Sequence, residues 1–322
     1  MSNYNSKIDA IICAYNSEAF LTDAIKSVFR QTLQPAEIVV IDDGSTDNTA
    51  GIAQSYANSG LRYVKQNNEG EGAARNRGIH ETQSEWIAFL DADDIWLDDK
   101  LQRQFDFVQT HPEVGMVGGD KLWWDVKENT HSLIKYGRVP SDRLYKELII
   151  SNVVGDPSIM LIRRVLFERA GLFRTDLRIG VDWEMWLRIA KHTTIGFIES
   201  PLITYRWHSS NVSNRFTNHR VKTMESISLD AIRLYENPVT RIELYFRMKS
   251  RSQFELTLDS IQMHSSKLKQ FRHALFAFLL YPFENSGKKI RLILQSLLSE
   301  RLYITLKSKL QRAKKDRLVK VT

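Results

Sequence analysis

One cysteine in 322 residues rules out a disulfide within the chain. Cys13 falls in the first apolar run, so it reads as a small core side chain; a reactive thiol needs an electropositive, partly exposed setting. No run reaches the roughly 18 apolar residues of a membrane span, and the opening MSNYNSKIDA is polar, unlike a signal peptide. Both absences point to a cytoplasmic location. Internal repeats and low-complexity linkers are also missing, which excludes a repeat array or a tethered string of modules. At 43% hydrophobic and 26% charged residues the chain is not a disordered one. Its length suits one large α/β domain, or a catalytic domain with an appendage.

Acidic counter-charge is scarce at one end. The net charge is +7, but residues 267–322 hold fourteen Lys and Arg against Glu284, Glu300 and Asp316, a net +11 that leaves −4 for residues 1–266. A mildly acidic body therefore carries a basic tail. In that tail RHALFAFLLYPF, residues 272–283, is apolar but too short for a bilayer. Ile290, Ile293, Leu294, Leu297 and Leu298 recur at helical spacing beside Lys288, Lys289, Arg291 and Arg301, ahead of the terminal KSKLQRAKKDRLVK. This pattern predicts helices that lie on an anionic membrane surface, or that pack on the catalytic domain or a second subunit. With few aromatics placed for stacking and no nucleic-acid motif, nucleic acid is not an expected partner.

The first third alternates strand and helix. IDAIIC and EIVVIDD read as strands, each followed by a helix: one in which Phe20, Leu21, Ala24, Ile25 and Val28 recur, the other running from Ser45-Thr46-Asp47 through Tyr56. LRYVKQ, an Asn- and Gly-rich loop over 67–72, the helix AARNRGIHET and the strand EWIAFL follow. Such alternation predicts a doubly wound parallel sheet. Further on come a helix over 98–110, VGMVGG, an irregular Trp-rich segment, the strand SIMLI, the helices RVLFERA and DWEMWLRIAKH, and the strand IGFIE running on to YRWHSSNVS. From about residue 217 the chain reads as helix, broken at Asn237-Pro238, Pro282 and Asn285-Ser286-Gly287.

Chemistry concentrates where strands end. FLDADD, residues 89–94, sends Asp91, Asp93 and Asp94 out of a strand's carboxyl edge, where α/β folds bind ligands. Alternate residues of an extended chain share a face, so Asp91 and Asp93 can address one ligand. Their mutual repulsion calls for a counterion; Mn²⁺ or Mg²⁺ carrying phosphate oxygens fits, because these ions are usually held by one or two carboxylates plus phosphates and waters. Asp42 and Asp43 close the second strand, and with Ser45 and Asp47 they can equally serve to cap the next helix.

ICAYNSEAFLTDAIKSVFRQT, VVIDDGSTDNT, GAARNRGI and FLDADD, followed by DWEMWLRIA and YRWHSSNVS, together resemble family 2 glycosyltransferases of the GT-A fold across roughly residues 7–215. The resemblance implies a doubly wound, mostly parallel sheet with a Rossmann-like nucleotide half (about 1–97) and an acceptor half (about 98–216), followed by a helical basic region over 217–322. It implies that Ala14 and Tyr15 flank the nucleobase, Asp43 binds the base or ribose, and Asn68 and Arg75 contact the nucleotide. Asp91 would meet the ribose or a metal-bound water, and Asp93 would ligate the metal. His208 would approach the metal or diphosphate from the acceptor half, and Asp182 would be the general base. The chain departs from the pattern twice: Cys13-Ala14 stands where a proline commonly precedes Ala-Tyr-Asn, and Val181 precedes Asp182 where the family shows Glu-Asp.

The expected function is that of an inverting, metal-dependent glycosyltransferase of bacterial surface-glycan type. It would take a nucleotide sugar, a UDP-sugar by preference, and extend a cell-surface glycan or lipid-linked saccharide at the inner face of the membrane. Two alternatives stand beside it. A sugar-phosphate nucleotidyltransferase would carry an N-terminal glycine-rich loop with a basic residue where this chain has ICAYNSEAF; a noncatalytic nucleotide-sugar-binding protein would have no use for Asp93, Asp182 and His208. Sugar, linkage and oligomeric state, a homo-oligomer included, are left open.

Overall fold

The computed structural model describes residues 7–209, 211, 217–262, 265–282 and 286–297. They form two compact units, residues 1–215 and 216–322. The first opens with β1 (Ile8–Ala14), α1 (Leu21–Phe29), β2 (Glu37–Asp42), α2 (Thr49–Ser55), β3 (Leu61–Lys65), α3 (Glu71–Glu81) and β4 (Trp86–Asp91). β5 (Ile95–Trp96), α4 (Lys100–Thr110), β6 (Val114–Asp125), β7 (Thr130–Ile134), α5 (Ser141–Ile150), β8 (Leu161–Arg163), α6 (Val165–Ala170), α7 (Val181–Ile189) and β9 (Thr194–Trp207) complete it.

β1, β2 and β4 are near-continuous apolar runs because helices cover both faces of a parallel sheet. The strand order is β3-β2-β1-β4-β8-β6-β9-β5, with β7 on β6. β3, β2, β1 and β4 are mutually parallel, and successive connections leave β1 in opposite directions. That reversal opens a crevice at the strands' carboxyl ends. β8 enters antiparallel between β4 and β6, while β9 runs parallel to β6.

Three local expectations change. The Trp-rich segment is not irregular: it is the second half of β6, held between β9 and β7, so Trp123 and Trp124 lie on alternate faces of a paired strand. SIMLI is strand only from Leu161; Pro157 starts a 3-10 turn over Pro157–Ile159, a position that needs no amide hydrogen. α2 begins at Thr49, after Ser45 and Asp47, because those side chains reach across to the first loop. Ser45 Oγ accepts from the Asn16 amide (2.9 Å) and Asp47 Oδ2 from that of Glu18 (3.0 Å).

The second unit comprises α8 (Thr217–Arg233), α9 (Pro238–Gln262), α10 (Lys267–Leu280) and α11 (Ser286–Leu297). Asn237 Oδ1 accepts from the Val239 and Thr240 amides at the start of α9 (2.9 and 3.1 Å), and Ser266 caps α10, a break not anticipated in the sequence. Phe254, Ala274, Ala277 and Leu292 form its core, with Ile261 and Ile293 packed against it. Lys289 does not flank a polar face as the helical spacing predicts. It is buried and donates to Ser250 Oγ (2.7 Å) and the Tyr281 carbonyl (2.6 Å), while Ile290 is exposed. Leu298, Arg301 and the terminal basic stretch lie outside the described residues.

At the sheet edge remote from the carboxyl ends, buried Asp9 accepts from the Gln83 amide (2.9 Å), the Ser84 amide (2.6 Å) and Ser84 Oγ (2.7 Å). Arg164 lies 3.5 Å from Asp9 and donates to Ile79, Thr82 and Ser84. Asp9→Ala leaves these donors unpaired and should lower unfolding stability by about 2–4 kcal/mol. A urea titration checks the loss, and calorimetry should find nucleotide affinity unchanged.

Candidate active site

Register brings the strand ends together: Cys13 lies beside Asp91, and Ala14 beside Asp42. Ala14 is buried and its carbonyl accepts from the Asp43 amide (2.9 Å). Tyr15 projects beyond it, 49% exposed, so its ring is free to meet a planar ligand. Asn16 holds a left-handed φ of 48°, fixed by Thr46, whose amide donates to Asn16 Oδ1 (2.9 Å). Burial pushes the Cys13 thiol up to about 12 despite nearby Arg75, which makes it inert near neutral pH.

Asp42 is structural: it accepts from the Ser45 amide (2.8 Å) and the Tyr63 hydroxyl (2.6 Å). Asp43 has a role the sequence did not reveal. Its carboxylate accepts from Gln66 Nε2 (2.8 Å) and from the amides of Glu69 (2.9 Å) and Gly70 (2.8 Å), pinning the Asn-rich loop. Asn68 is exposed on that loop. Gly44 lies under it at φ 79°, where a Cβ would stand 2.7 Å from the Asn68 amide nitrogen; only glycine fits.

Arg75 is buried in the first turns of α3 and pairs with Asp91 (3.0 Å) and Glu71 (3.2 Å). Its Nε and Nη1 have no hydrogen-bond partner among the described residues. Arg77, two positions on, is exposed and pairs with Glu81 (2.7 Å). Burial, with the charges of Asp93 and Glu71, pushes Asp91 up to about 6 against the opposing influence of Arg75.

Asp93 faces the other half. His208 Nε2 lies 3.2 Å from its Oδ2, Asn211 Nδ2 donates to the same oxygen (3.0 Å), and the His208 ring stacks on Phe20 (4.4 Å). Arg206 is buried behind them; it donates to the Asp93 carbonyl and to Asp23 Oδ2 (2.9 Å). Asp94 is fully buried. Burial with the Asp93 and Asp91 charges raises its pKa well above the usual carboxylate range, against the opposing influence of the neighbouring Ser158 hydroxyl.

Asp182 lies in the first turn of α7, which follows Gly180 at a left-handed φ of 71°. Two buried indoles lock the helix in place: Trp183 Nε1 donates to the Leu148 carbonyl (2.6 Å) and Trp186 Nε1 to that of Gly155 (2.9 Å). Asn152 orients the carboxylate, donating to Asp182 Oδ2 (3.0 Å). Burial first, then the charges of Glu71 and Asp156, push Asp182 up to about 7; Arg75 opposes them. Arg75 thus links Asp91 at the end of β4 to Asp182.

No group of three or more His, Cys, Asp and Glu converges as a metal cage among the described residues. Asp93 and His208, which meet at 3.2 Å, are instead the carboxylate and imidazole that would hold a divalent ion such as Mn²⁺.

A parallel nucleotide-type half ending in carboxylates, joined to a mixed half that brings Asp182 and His208 to the same edge, is the GT-A arrangement. S. aureus TarS 1–349 in complex with UDP-GlcNAc has this fold, with 16% identity over 95% of this chain and 92% of that one and a TM-score of 0.63. So does the mannosyltransferase PcManGT from Pyrobaculum calidifontis in complex with GDP-Man and Mn²⁺, with 18% identity over 92% and 87% and a TM-score of 0.59. The chain belongs to glycosyl transferase family 2, whose description matches residues 9–171. An uncharacterized glycosyltransferase of Rickettsia conorii is 32% identical over 67% of this chain; the match spans 36% of that relative's length. The putative teichuronic acid biosynthesis glycosyltransferase TuaG of Bacillus subtilis is 28% identical over 66% of this chain and 84% of its own.

The raised pKa of Asp182 has a measurable sign. Its folded value near 7 exceeds the ordinary 3.8, so its contribution to stability is present below about pH 4 and is lost as pH rises through about 7. Asp182→Asn removes that loss. Its urea midpoint should gain on wild type between about pH 5 and about pH 8; a constant difference across that window would show an unperturbed Asp182.

Proposed function

We propose that the protein is an inverting, metal-dependent glycosyltransferase. It would move a sugar from a nucleotide sugar, a UDP-sugar by preference, to a hydroxyl of a bacterial cell-surface glycan or lipid-linked saccharide. The observation that carries this reading is the presence of Arg75–Asp91 and Asp93–His208 at the strand ends together with a carboxylate, Asp182, held by Asn152 at the start of α7. TarS with UDP-GlcNAc and PcManGT with GDP-Man and Mn²⁺ support the donor class and the metal; TuaG supports the glycan context.

Tyr15 would flank the base, the Asn68 loop held by Asp43 would line the ribose, and Arg75, buried against Asp91, would supply positive charge beneath the donor. Asp93 and His208 would hold the divalent ion, which when bound supplies positive charge for the departing diphosphate. Asp182 accepts the acceptor hydroxyl's proton as the new bond to the anomeric carbon forms and the bond to the diphosphate breaks. One such displacement inverts the anomeric centre. An ordinary carboxylate is a weak base for a sugar hydroxyl, and a pKa near 7 improves the match.

Two substitutions separate the roles. Asp93→Ala should leave UDP affinity, read by calorimetry, insensitive to Mn²⁺. Asp182→Asn should keep UDP-sugar affinity within a few fold while turnover falls by roughly 10²-fold or more. An Asp93→Ala protein with the full Mn²⁺ response, or near-wild-type turnover in Asp182→Asn, would sink the assignment concerned.

The helical unit supports a peripheral place at the membrane's inner face. No helix of the described residues is long and apolar enough to cross a membrane. α10 instead exposes Leu268, Phe276 and Leu279 on one side, with Lys267, Lys269 and Arg272 also exposed, while Ala274 and Ala277 face the core. Combining Leu268→Asp, Phe276→Asp and Leu279→Asp should reduce sedimentation with phosphatidylglycerol vesicles and leave UDP binding intact. Wild-type binding should fade in high salt; equal sedimentation of the two proteins would exclude this surface.

A further inference from the structure

Beside Asp182, β6 and β9 carry a second polar cluster to which the donor side assigns no work. Lys121 is buried, its ammonium 4.2 Å from the Tyr205 ring centre, 5.5 Å from that of Tyr136 and 5.8 Å from that of Trp123, and it pairs with Asp156. Asp156 keeps 28% of its side chain open. Asn152 ties it to the catalytic side: its Nδ2 donates both to the carbonyl of Gly155, the residue before Asp156 (3.2 Å), and to Asp182 Oδ2 (3.0 Å). Trp123 stacks on Tyr205 (5.0 Å) and meets Trp207 (4.8 Å), extending an aromatic wall from the cluster. A second ion pair, Asp120–Arg138 (2.9 Å), with the Tyr136 amide donating to Asp120 (3.1 Å), holds Tyr136 in place.

Resting on the glycosyltransferase reading above, we propose that this cluster is the acceptor subsite, that its ligand is a neutral pyranose with vicinal hydroxyls, and that Asp156 determines that specificity. A pyranose offers apolar C–H faces to aromatic rings and hydroxyl donors to carboxylates. Asp182 takes the nucleophilic hydroxyl and Asp156 accepts a hydrogen bond from its neighbour. Lys121 is a positioning residue that holds Asp156 from beneath. Both cations of the cluster are already paired, Lys121 with Asp156 and Arg138 with Asp120. A phosphate or carboxylate on the acceptor would face the carboxylates of Asp156 and Asp182 at close range.

Saturation-transfer NMR on the UDP-saturated full chain tests this, with p-nitrophenyl glucoside, galactoside, mannoside and N-acetylglucosaminide as neutral probes and p-nitrophenyl glucuronide as the anionic one. At least one neutral glycoside should bind and the glucuronide should not. Asp156→Asn should weaken the neutral glycoside about tenfold or more, the loss of one charge-assisted hydrogen bond, with UDP affinity unchanged. If burying Lys121 without its partner prevents folding, Asp156→Asn combined with Lys121→Met removes the whole pair and is read instead. Glucuronide binding as tight as the neutral sugars, no neutral glycoside bound to wild type that binds UDP, or unchanged affinity in the variant would each overturn the subsite. Failure of wild type to bind UDP at all would instead reject the donor reading.

Discussion

Three carboxylates, Glu71, Asp91 and Asp182, belong to one electrostatic neighbourhood, and a site built from them would expel its own charge without a cation inside it. Arg75 is that cation. Its guanidinium is buried and held by Asp91 and Glu71 within the field of Asp182. Desolvation would ordinarily drive charge off such a group, but guanidinium stays protonated and the surrounding acids reinforce it. The compensation is incomplete: burial, with Asp93 acting on Asp91 and Asp156 acting on Asp182, pushes Asp91 up to about 6 and Asp182 up to about 7 against Arg75. A site poised in this way can gain a proton on one carboxylate and welcome positive charge at another.

The second half depends on a different cation. Arg206, at the end of β9, is buried behind the Asp93-Asp94 turn, donates to the Asp93 carbonyl and leans 4.9 Å over Phe20. Phe20 in turn stacks on His208, so the helix after β1, the D-x-D turn and the end of β9 are clamped around one ring. His208 is thereby presented to Asp93 by packing, with Asn211 fixing both partners. Loss of the clamp would separate two potential ligands supplied by segments more than 100 positions apart in sequence.

What could be read from the sequence was local. FLDADD, VVIDDGSTDNT and GAARNRGI lie at strand ends or helix starts, where the chain itself fixes which way a side chain leaves the sheet. The parallel first half was legible for the same reason, since β1, β2 and β4 are apolar without alternation. Asn152, Asp156 and Lys121 gave no signal, because their partners are 30 or more positions away and arise only when β6, α7 and the turn before β8 assemble. The Trp-rich half of β6 looked irregular because its pairing with β9 shifts register near Gly119 and Asp120, which breaks the simple alternation of a half-buried strand.

The same locality explains why Asp43 and Lys289 were read for their charge. Both are ionisable side chains in motifs that invite an outward role, yet each is turned inward to satisfy backbone groups. Asp43 takes two amides of the 66–70 loop, and Lys289 donates to the Tyr281 carbonyl. A buried backbone polar group without a partner costs more than most surface contacts gain, so turns and loops that must be rigid recruit whatever donor or acceptor lies within reach. Asp43 acts through the loop it holds: its hydrogen bonds to residues 66–70 fix the entry to α3, and through α3 the position of Arg75, on which the charge balance around Asp91 and Asp182 rests.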